Sequence, residues 1–384
     1  MTNKPLMKVY LDNAATTKIH PEVIRVMADV MENHYGNPSS IHSFGRQTKS
    51  LLENARKSVA RNLNTTPGNI FFTSGGTEAN NMAIRCSVCD YDIKHAITSP
   101  LEHHAVLHTL EDLEKRGEIK LSLVKVDKDG HIDLGHLEQL LESNPRTLVS
   151  LMHANNEIGT VTDINKVGEI CRKYDAIFHS DTVQTMGHFR HDLGSLPVDF
   201  ITGAAHKFHG PKGIGFLYIN LDRVKISPYI TGGAQERNMR GGTENIIGIV
   251  GLAKALDIAY ANIDEDAARV RAMKDHMINE LRKELPAIDF NGDTGPDSLY
   301  TVLNVSLPPT DLAETLLFNL DMAGIAASEG SACSSGSNVG SHVLTALGAD
   351  PDRPAIRFSF SAFNTMDEID YAVGRLKELF LVKA

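Results

Sequence analysis

The 384-residue chain is poor in cysteine: its four thiols are too few and too scattered for a disulfide framework, a usage that suits a reducing compartment and makes a cytoplasmic location the expectation. No run of 18 consecutive apolar residues occurs, so no membrane-spanning helix is expected. The opening residues, Met1 to Thr17, contain no apolar core of a signal peptide. Positive charge is in the minority, with 38 Lys and Arg against 48 Asp and Glu and a net charge of −10, which argues against stable nucleic-acid binding. Metal signatures are missing as well. Asp127 to Gly130 lacks the glutamate and spacing of a calcium loop, and no glutamate follows His104 to complete a zinc-protease pair with His108. Cys86 and Cys89 have C-x-x-C spacing but no second pair, and are read as helix-face residues.

What remains is an ordinary globular composition, 42% hydrophobic and 22% charged, in a chain longer than one compact core. From Ile70 onward apolar strands alternate with periodic helices, the pattern of an α/β sheet. After Ile219 the alternation breaks. A glycine-rich polar stretch leads into helices expected over Ile246–Asn262 and Asp266–Leu285, and a smaller α+β unit follows. The expected division is a large domain over 1–260 and a small one over 261–384, with residues 1–20 packing against the small one.

Chemistry-bearing residues collect where strands end. Val198–Ile219 reads as strand, small-residue loop, glycine-proline turn and strand, and it places Lys207 at the edge of a buried strand among Gly203, Ala204 and Ala205. Partial desolvation there would make the amine nucleophilic, as a Schiff-base lysine requires. Ser74-Gly75-Gly76-Thr77 opens a helix and outlines an anion cradle, though it is neither a dinucleotide fingerprint nor a P-loop. The strand Thr147–Met152 delivers Asn155 and Asn156, and the strand Ala176–Asp181 delivers a carboxylate with Gln184 three residues later. Cys333 lies in a wet, mobile run of Gly, Ser and Ala, over 328–338, where a thiol is a candidate nucleophile. Singly, each has a plainer reading: a solvated lysine, a capped turn, a helix-capping aspartate, a chance loop cysteine. Together, a phosphate nest, a carboxylate for a ring nitrogen and an imine-forming lysine are what pyridoxal 5'-phosphate needs.

The order of Leu11-Asp12-Asn13-Ala14-Ala15-Thr16-Thr17, Gly36-Asn37-Pro38-Ser39-Ser40, Thr73-Ser74-Gly75-Gly76-Thr77-Glu78, Glu102-His103, Asn155-Asn156-Glu157-Ile158-Gly159, His206-Lys207, Arg240-Gly241-Gly242-Thr243, Gly330-Ser331-Ala332-Cys333 and Arg357-Phe358-Ser359 resembles that of cysteine desulfurases. These are fold-type-I pyridoxal-phosphate enzymes, and the resemblance covers essentially the whole chain, on the branch with a long cysteine loop. It implies a mixed, mostly parallel sheet flanked by helices. It implies that Lys207 binds the cofactor and moves the Cα proton, that His103 stacks on the ring and takes part in proton transfer, and that Asp181 pairs with the ring nitrogen. Asn156 and Gln184 would contact the ring's oxygen side. Gly76, Thr77 and His206 would hold the phosphate, with Thr243 arriving from the partner of a homodimer. Arg357 would clamp the carboxylate of L-cysteine, with Asn13 and Asn156 in the substrate site. Cys333 would take the sulfur as a persulfide, leave alanine, touch an iron–sulfur cluster transiently, and pass sulfur to a protein acceptor such as an iron–sulfur scaffold or sulfur carrier for cluster assembly or tRNA thiolation. A selenocysteine lyase, or another pyridoxal-phosphate enzyme of this fold, is the alternative within the class. A non-catalytic sulfur-transfer scaffold is the alternative outside it.

The chain departs from the family pattern at Ala362, where relatives often carry Arg, and at Ala204, where they usually carry Ser two residues before the His. Losing that hydroxyl removes one hydrogen bond to a charged phosphate. Ala204→Ser is therefore expected to tighten pyridoxal-phosphate binding by roughly ten- to a hundredfold, measured by titrating the apoprotein. An unchanged affinity would contradict it.

Overall fold

The computed structural model describes residues 7–329 and 340–381. In chain order the elements are β1 (Val9–Tyr10), α1 (Pro21–Asn33), α2 (Ser43–Asn62), β2 (Ile70–Thr73), α3 (Gly76–Asp90), β3 (His95–Thr98), α4 (His104–Lys115), β4 (Lys120–Leu123), α5 (Leu134–Glu142), β5 (Thr147–Ser150), α6 (Ile164–Lys173), β6 (Ile177–Asp181), β7 (Phe200–Ala204) and β8 (Gly215–Ile219). They continue with α7 (Gln235–Asn238), α8 (Ile246–Glu284), β9 (Asp289–Asn291), β10 (Val302–Ser306), α9 (Leu316–Met322), β11 (Ile325–Ala326), α10 (His342–Ala346), β12 (Ala355–Ser359) and α11 (Met366–Leu381).

Seven strands form the main sheet in the order β2-β8-β7-β6-β5-β3-β4. The pairs from β7 through to β4 are parallel, while β8 runs antiparallel to both β2 and β7. All residues of β5, β6 and β7 are buried, the signature of strands covered by helices on both faces. The parallel run points the carboxyl ends of β3, β5, β6 and β7 to one edge, and α3 starts at that same edge. A separate sheet of β12, β10 and β9 and a parallel pair of β1 with β11 complete the chain.

The two helices expected over Ile246–Asn262 and Asp266–Leu285 are one, the 39-residue α8. Nothing in Ile263-Asp264-Glu265 breaks a helix, and Ile263 is buried, so the turn continues through the expected gap. Residues of α8 up to Tyr260 pack in the cluster beneath the main sheet, whereas those from Val270 onward pack in a second cluster with Val9, Leu11, Leu303, Phe358 and Ile369. The helix expected over Ala79–Arg85 is longer, running from Gly76 to Asp90. The stretch expected as one helix over Asp311–Met322 is a 3-10 turn at Ala313–Thr315 followed by α9.

A buried ion pair fixes the segment after the main sheet. Arg56 of α2 donates to both carboxylate oxygens of Glu236 at 2.7 Å and to the carbonyl of Ile70 at 2.9 Å. The backbone N–H of Phe72 donates to the same carboxylate at 2.9 Å, and the guanidinium lies over the Phe72 ring. Glu236, Arg237 and Asn238 are held here in the left-handed region, with φ of 45°, 57° and 66°. Removing one partner leaves a buried charge alone. Glu236→Ala is expected to destabilise the protein by about 3–5 kcal/mol in denaturant titration, whereas Lys94→Ala in the exposed pair with Asp92 is expected to leave the midpoint nearly unchanged.

Candidate active site

The phosphate-sized cradle is the start of α3. Gly75 occupies the N-cap with no side chain to satisfy the first amides, so the N–H groups of Gly76 and Thr77 face outward. A Cβ on Gly75 would meet nothing within 4 Å, which leaves the approach open. A Cβ on Gly76 would strike Val183 Cγ2 at 2.8 Å and come within 3.7 Å of Ala204 Cβ, so this wall of the cradle closes only around glycine. The departure at Ala204 therefore borders the cradle. Burial raises the Glu78 carboxyl, but Arg240 and the Ser74 N–H outweigh it and hold the group below its ordinary value, fixing the turn.

Asp181 is the last residue of β6 and is 8% exposed. Its Oδ1 accepts from Val183 N–H at 3.0 Å and its Oδ2 from the Asn80 amide at 2.6 Å. Lys207 ends the single 3-10 turn Ala205–Lys207 that follows β7. Its Nζ donates to the carbonyl of Ala15 at 3.0 Å and to that of Ala14. Gln184 Nε2 reaches the same Ala14 carbonyl at 3.1 Å, so residues 14–15 form the opposite wall.

His103 caps α4, its Nδ1 accepting the Ala105 N–H at 3.1 Å. The neutral ring must then carry its proton on Nε2. Burial lowers its pKa, the nearby Asp181 opposes the shift and Lys207 adds to it, which places all three groups in one electrostatic neighbourhood. Thr77 and His103 line the same open depression. His206 sits with Nδ1 3.3 Å from Thr16 Oγ1, and burial, with Lys207 and Lys212 adding to it, pushes its pKa down to about 4.

Arg357 in β12 is 1% exposed. It donates to Asp12 Oδ1 at 2.9 Å and to the Asn156 carbonyl at 3.1 Å, while its buried Nε has no partner among the described residues. The Asn156 side-chain amide makes no hydrogen bond to a described residue. Asn13, expected in the substrate site, spends its amide on the Ser359 carbonyl at 2.8 Å and on Tyr10 and Asn364.

Within this single chain Thr243 is not brought to Lys207; it lines a separate hollow with Ser74, Glu236 and Arg240. Cys333 lies outside the described residues. Cys86 is buried, and burial, with Asp90 and Cys89 adding to it, pushes its thiol up to about 12, which is no nucleophile's value. Among the described residues no group of His, Cys, Asp and Glu forms a metal site. Sequence reasoning missed Asn80 and the carbonyls of Ala14 and Ala15. Asn80 lies one helical turn beyond Gly76 and was reachable from that spacing, whereas the carbonyls carry no side-chain signal.

The donor set fits pyridoxal phosphate: outward amides for a dianion, a doubly supported carboxylate for a ring nitrogen, an amine between them and an imidazole alongside. The aminotransferase class-V family model matches residues 9–372. A Dictyoglomus turgidum protein named cysteine desulfurase IscS is 41% identical over 376 residues, covering 97% of this chain and 94% of that one. A solved NifS-like protein superposes with a TM-score of 0.90 at 37% identity, covering 97% of this chain and 99% of that one. A second solved structure, SspA in complex with cysteine, gives 0.80 at 30% identity, covering 94% and 100%. The chain thus belongs to the pyridoxal-phosphate-dependent cysteine desulfurases of the aminotransferase class-V family.

Proposed function

We propose that this desulfurase works as a cytoplasmic homodimer, moving sulfur from L-cysteine onto Cys333 and from there to a protein acceptor that feeds iron–sulfur cluster assembly or thio-modification. The observation that carries this reading is where the two ends of segment 330–339 are fixed. Upstream, Ser328 exchanges backbone hydrogen bonds with Arg357 and donates its hydroxyl to Asp12. Downstream, Ser341 donates to Glu157, and the His342 ring lies 3.0 Å from the Glu102 carbonyl and 4.6 Å, between centroids, from the His104 ring. The described residues on either side of the segment that holds Cys333 thus lie beside Arg357 upstream and beside Glu102 and His104, the neighbours of His103, downstream.

When bound, the cofactor supplies an electron sink that weakens bonds at the substrate's carbons. Arg357 binds the substrate carboxylate, its buried Nε, which has no partner among the described residues, being the donor in waiting. Lys207 takes and returns the Cα proton, and His103 donates from Nε2. The Cys333 thiolate attacks the substrate sulfur. The C–S bond breaks as the S–S bond forms, its electron pair stays with the carbon skeleton, and proton return releases alanine. No outside oxidant or reductant enters.

A second copy is favoured by surface chemistry. Ile24 and Met31 on α1, followed by Tyr35, Ile41 and Phe44, are all exposed, as are Tyr229 and Ile230 ahead of the Thr243 hollow. The relative SspA has been solved in complex with cysteine, in keeping with this substrate.

Incubation with L-cysteine is expected to yield alanine and a 32-Da-class persulfide adduct mapped to Cys333 by mass spectrometry. Lys207→Met is expected to form no borohydride-reducible bond to added pyridoxal phosphate and to make no alanine. Cys333→Ser is expected to stay coloured and to lose alanine formation. A persulfide on another cysteine, or alanine from the Lys207 variant, would overturn the reading.

A further inference from the structure

Asp181 is the end of a longer chain of hydrogen bonds. Beyond the 2.6 Å contact from Asn80, the Asn80 Oδ1 lies 3.1 Å from His179 Nε2, and His179 Nδ1 lies 2.8 Å from Ser150 Oγ. Asn80, His179 and Ser150 are 1%, 0% and 0% exposed, so none can exchange these partners for water.

The direction of every bond follows from its terminus. An ionised carboxylate only accepts, so Asn80 turns its NH2 toward Asp181 and its carbonyl toward the imidazole. His179 then carries its proton on Nε2, leaving Nδ1 to accept from the Ser150 hydroxyl. Burial, opposed by Asp181, pushes the His179 pKa down to about 4, in keeping with a neutral ring that has one proton to place. Because Asp181 Oδ1 already faces the Val183 N–H, both carboxylate oxygens meet donors, and the ionised form is the one these neighbours complement.

Secondary structure assembles this chain without special loops. His179 and Asp181 are two apart in β6 and share a face. Ser150 is the parallel-register partner of His179 across the β5–β6 ladder. Asn80 sits one turn into α3, four residues after Gly76, so the helix whose start makes the anion cradle also reaches the carboxylate.

We propose that Asn80, His179 and Ser150 are positioning residues: a one-way hydrogen-bond relay that holds Asp181 ionised and aimed at the cofactor's ring nitrogen. The proposal rests on the reading of Asp181 as that nitrogen's partner. All three act through Asp181, and no proton travels along the relay.

The test titrates apoprotein variants with pyridoxal phosphate and with its 1-deaza analogue, which has carbon in place of the ring nitrogen. Asn80→Ala and His179→Phe are expected to weaken pyridoxal phosphate about tenfold or more and to shift the absorption spectrum of the bound cofactor. Affinity for the deaza analogue, which offers Asp181 no N–H, is expected to stay unchanged. His179→Gln can donate toward Asn80 and accept from Ser150, and is expected to restore the wild-type affinity and spectrum. Ser150→Ala, the smallest truncation, carries the same selective loss in milder form if the larger changes do not fold. Equal losses for both cofactors would mean packing alone and overturn the relay. Asp181→Asn separates the two readings. If it loses the preference for pyridoxal phosphate while the relay variants keep it, the relay is wrong and the role of Asp181 stands. If it keeps that preference, the role of Asp181 fails and the relay with it.

Discussion

Arg357 and Asp12 form the contact on which the geometry of the site depends. The pair is 2.9 Å long, and the guanidinium is almost fully enclosed. Around it meet the segment after β1, the β12 strand, the loop after β5 through the Asn156 carbonyl, and Ser328 just ahead of the cysteine segment. Removing an enclosed charge from its partner is costly, so this pair adds to the shared apolar cluster of Val9, Leu11, Ile325 and Phe358 in holding these pieces together. Among the described residues the Arg357 Nε has no hydrogen-bond partner. A buried N–H in that condition carries a desolvation cost that an acceptor relieves.

The same logic of enclosed polar groups runs through the sheet edge. Parallel strands deliver side chains to one end, and the helix that starts there offers its amides. What distinguishes this edge from a generic α/β crevice is that nearly every polar group is tied to a second one before any ligand arrives: Asp181 to Asn80 and Val183, Lys207 to the 14–15 carbonyls, His103 to its own helix. Preorganisation of this sort sets orientation ahead of binding and reduces what must be ordered when substrate enters.

The α/β alternation, the cradle at Gly76, the carboxylate at Asp181 and the amine at Lys207 were legible in the sequence because each follows from local rules: apolar strands, glycine at a helix start, a polar residue where a strand stops. The continuity of α8 was not, since the two expected ranges, Ile246–Asn262 and Asp266–Leu285, are joined through Ile263-Asp264-Glu265 by packing that local periodicity does not show. Asn13 illustrates another limit. Its neighbours mark it as a site residue, yet its amide is taken by the Ser359 carbonyl, 346 residues away, a partner no local pattern could supply. The Asn80 contact fell between these cases, visible in helical and strand periodicity but only once the two were placed face to face.

The pairing of β1 with β11, together with Asp12 against Arg357, has a consequence for how the molecule is made. The segment that walls the amine is translated early, but the residues that hold it, Ile325, Arg357 and Ser359, emerge much later. Folding from the amino end can complete the main sheet while residues 9–16 still wait for their anchors. The candidate pocket is thereby completed late in synthesis, and a chain cut short before β12 would own the lysine without the wall beside it.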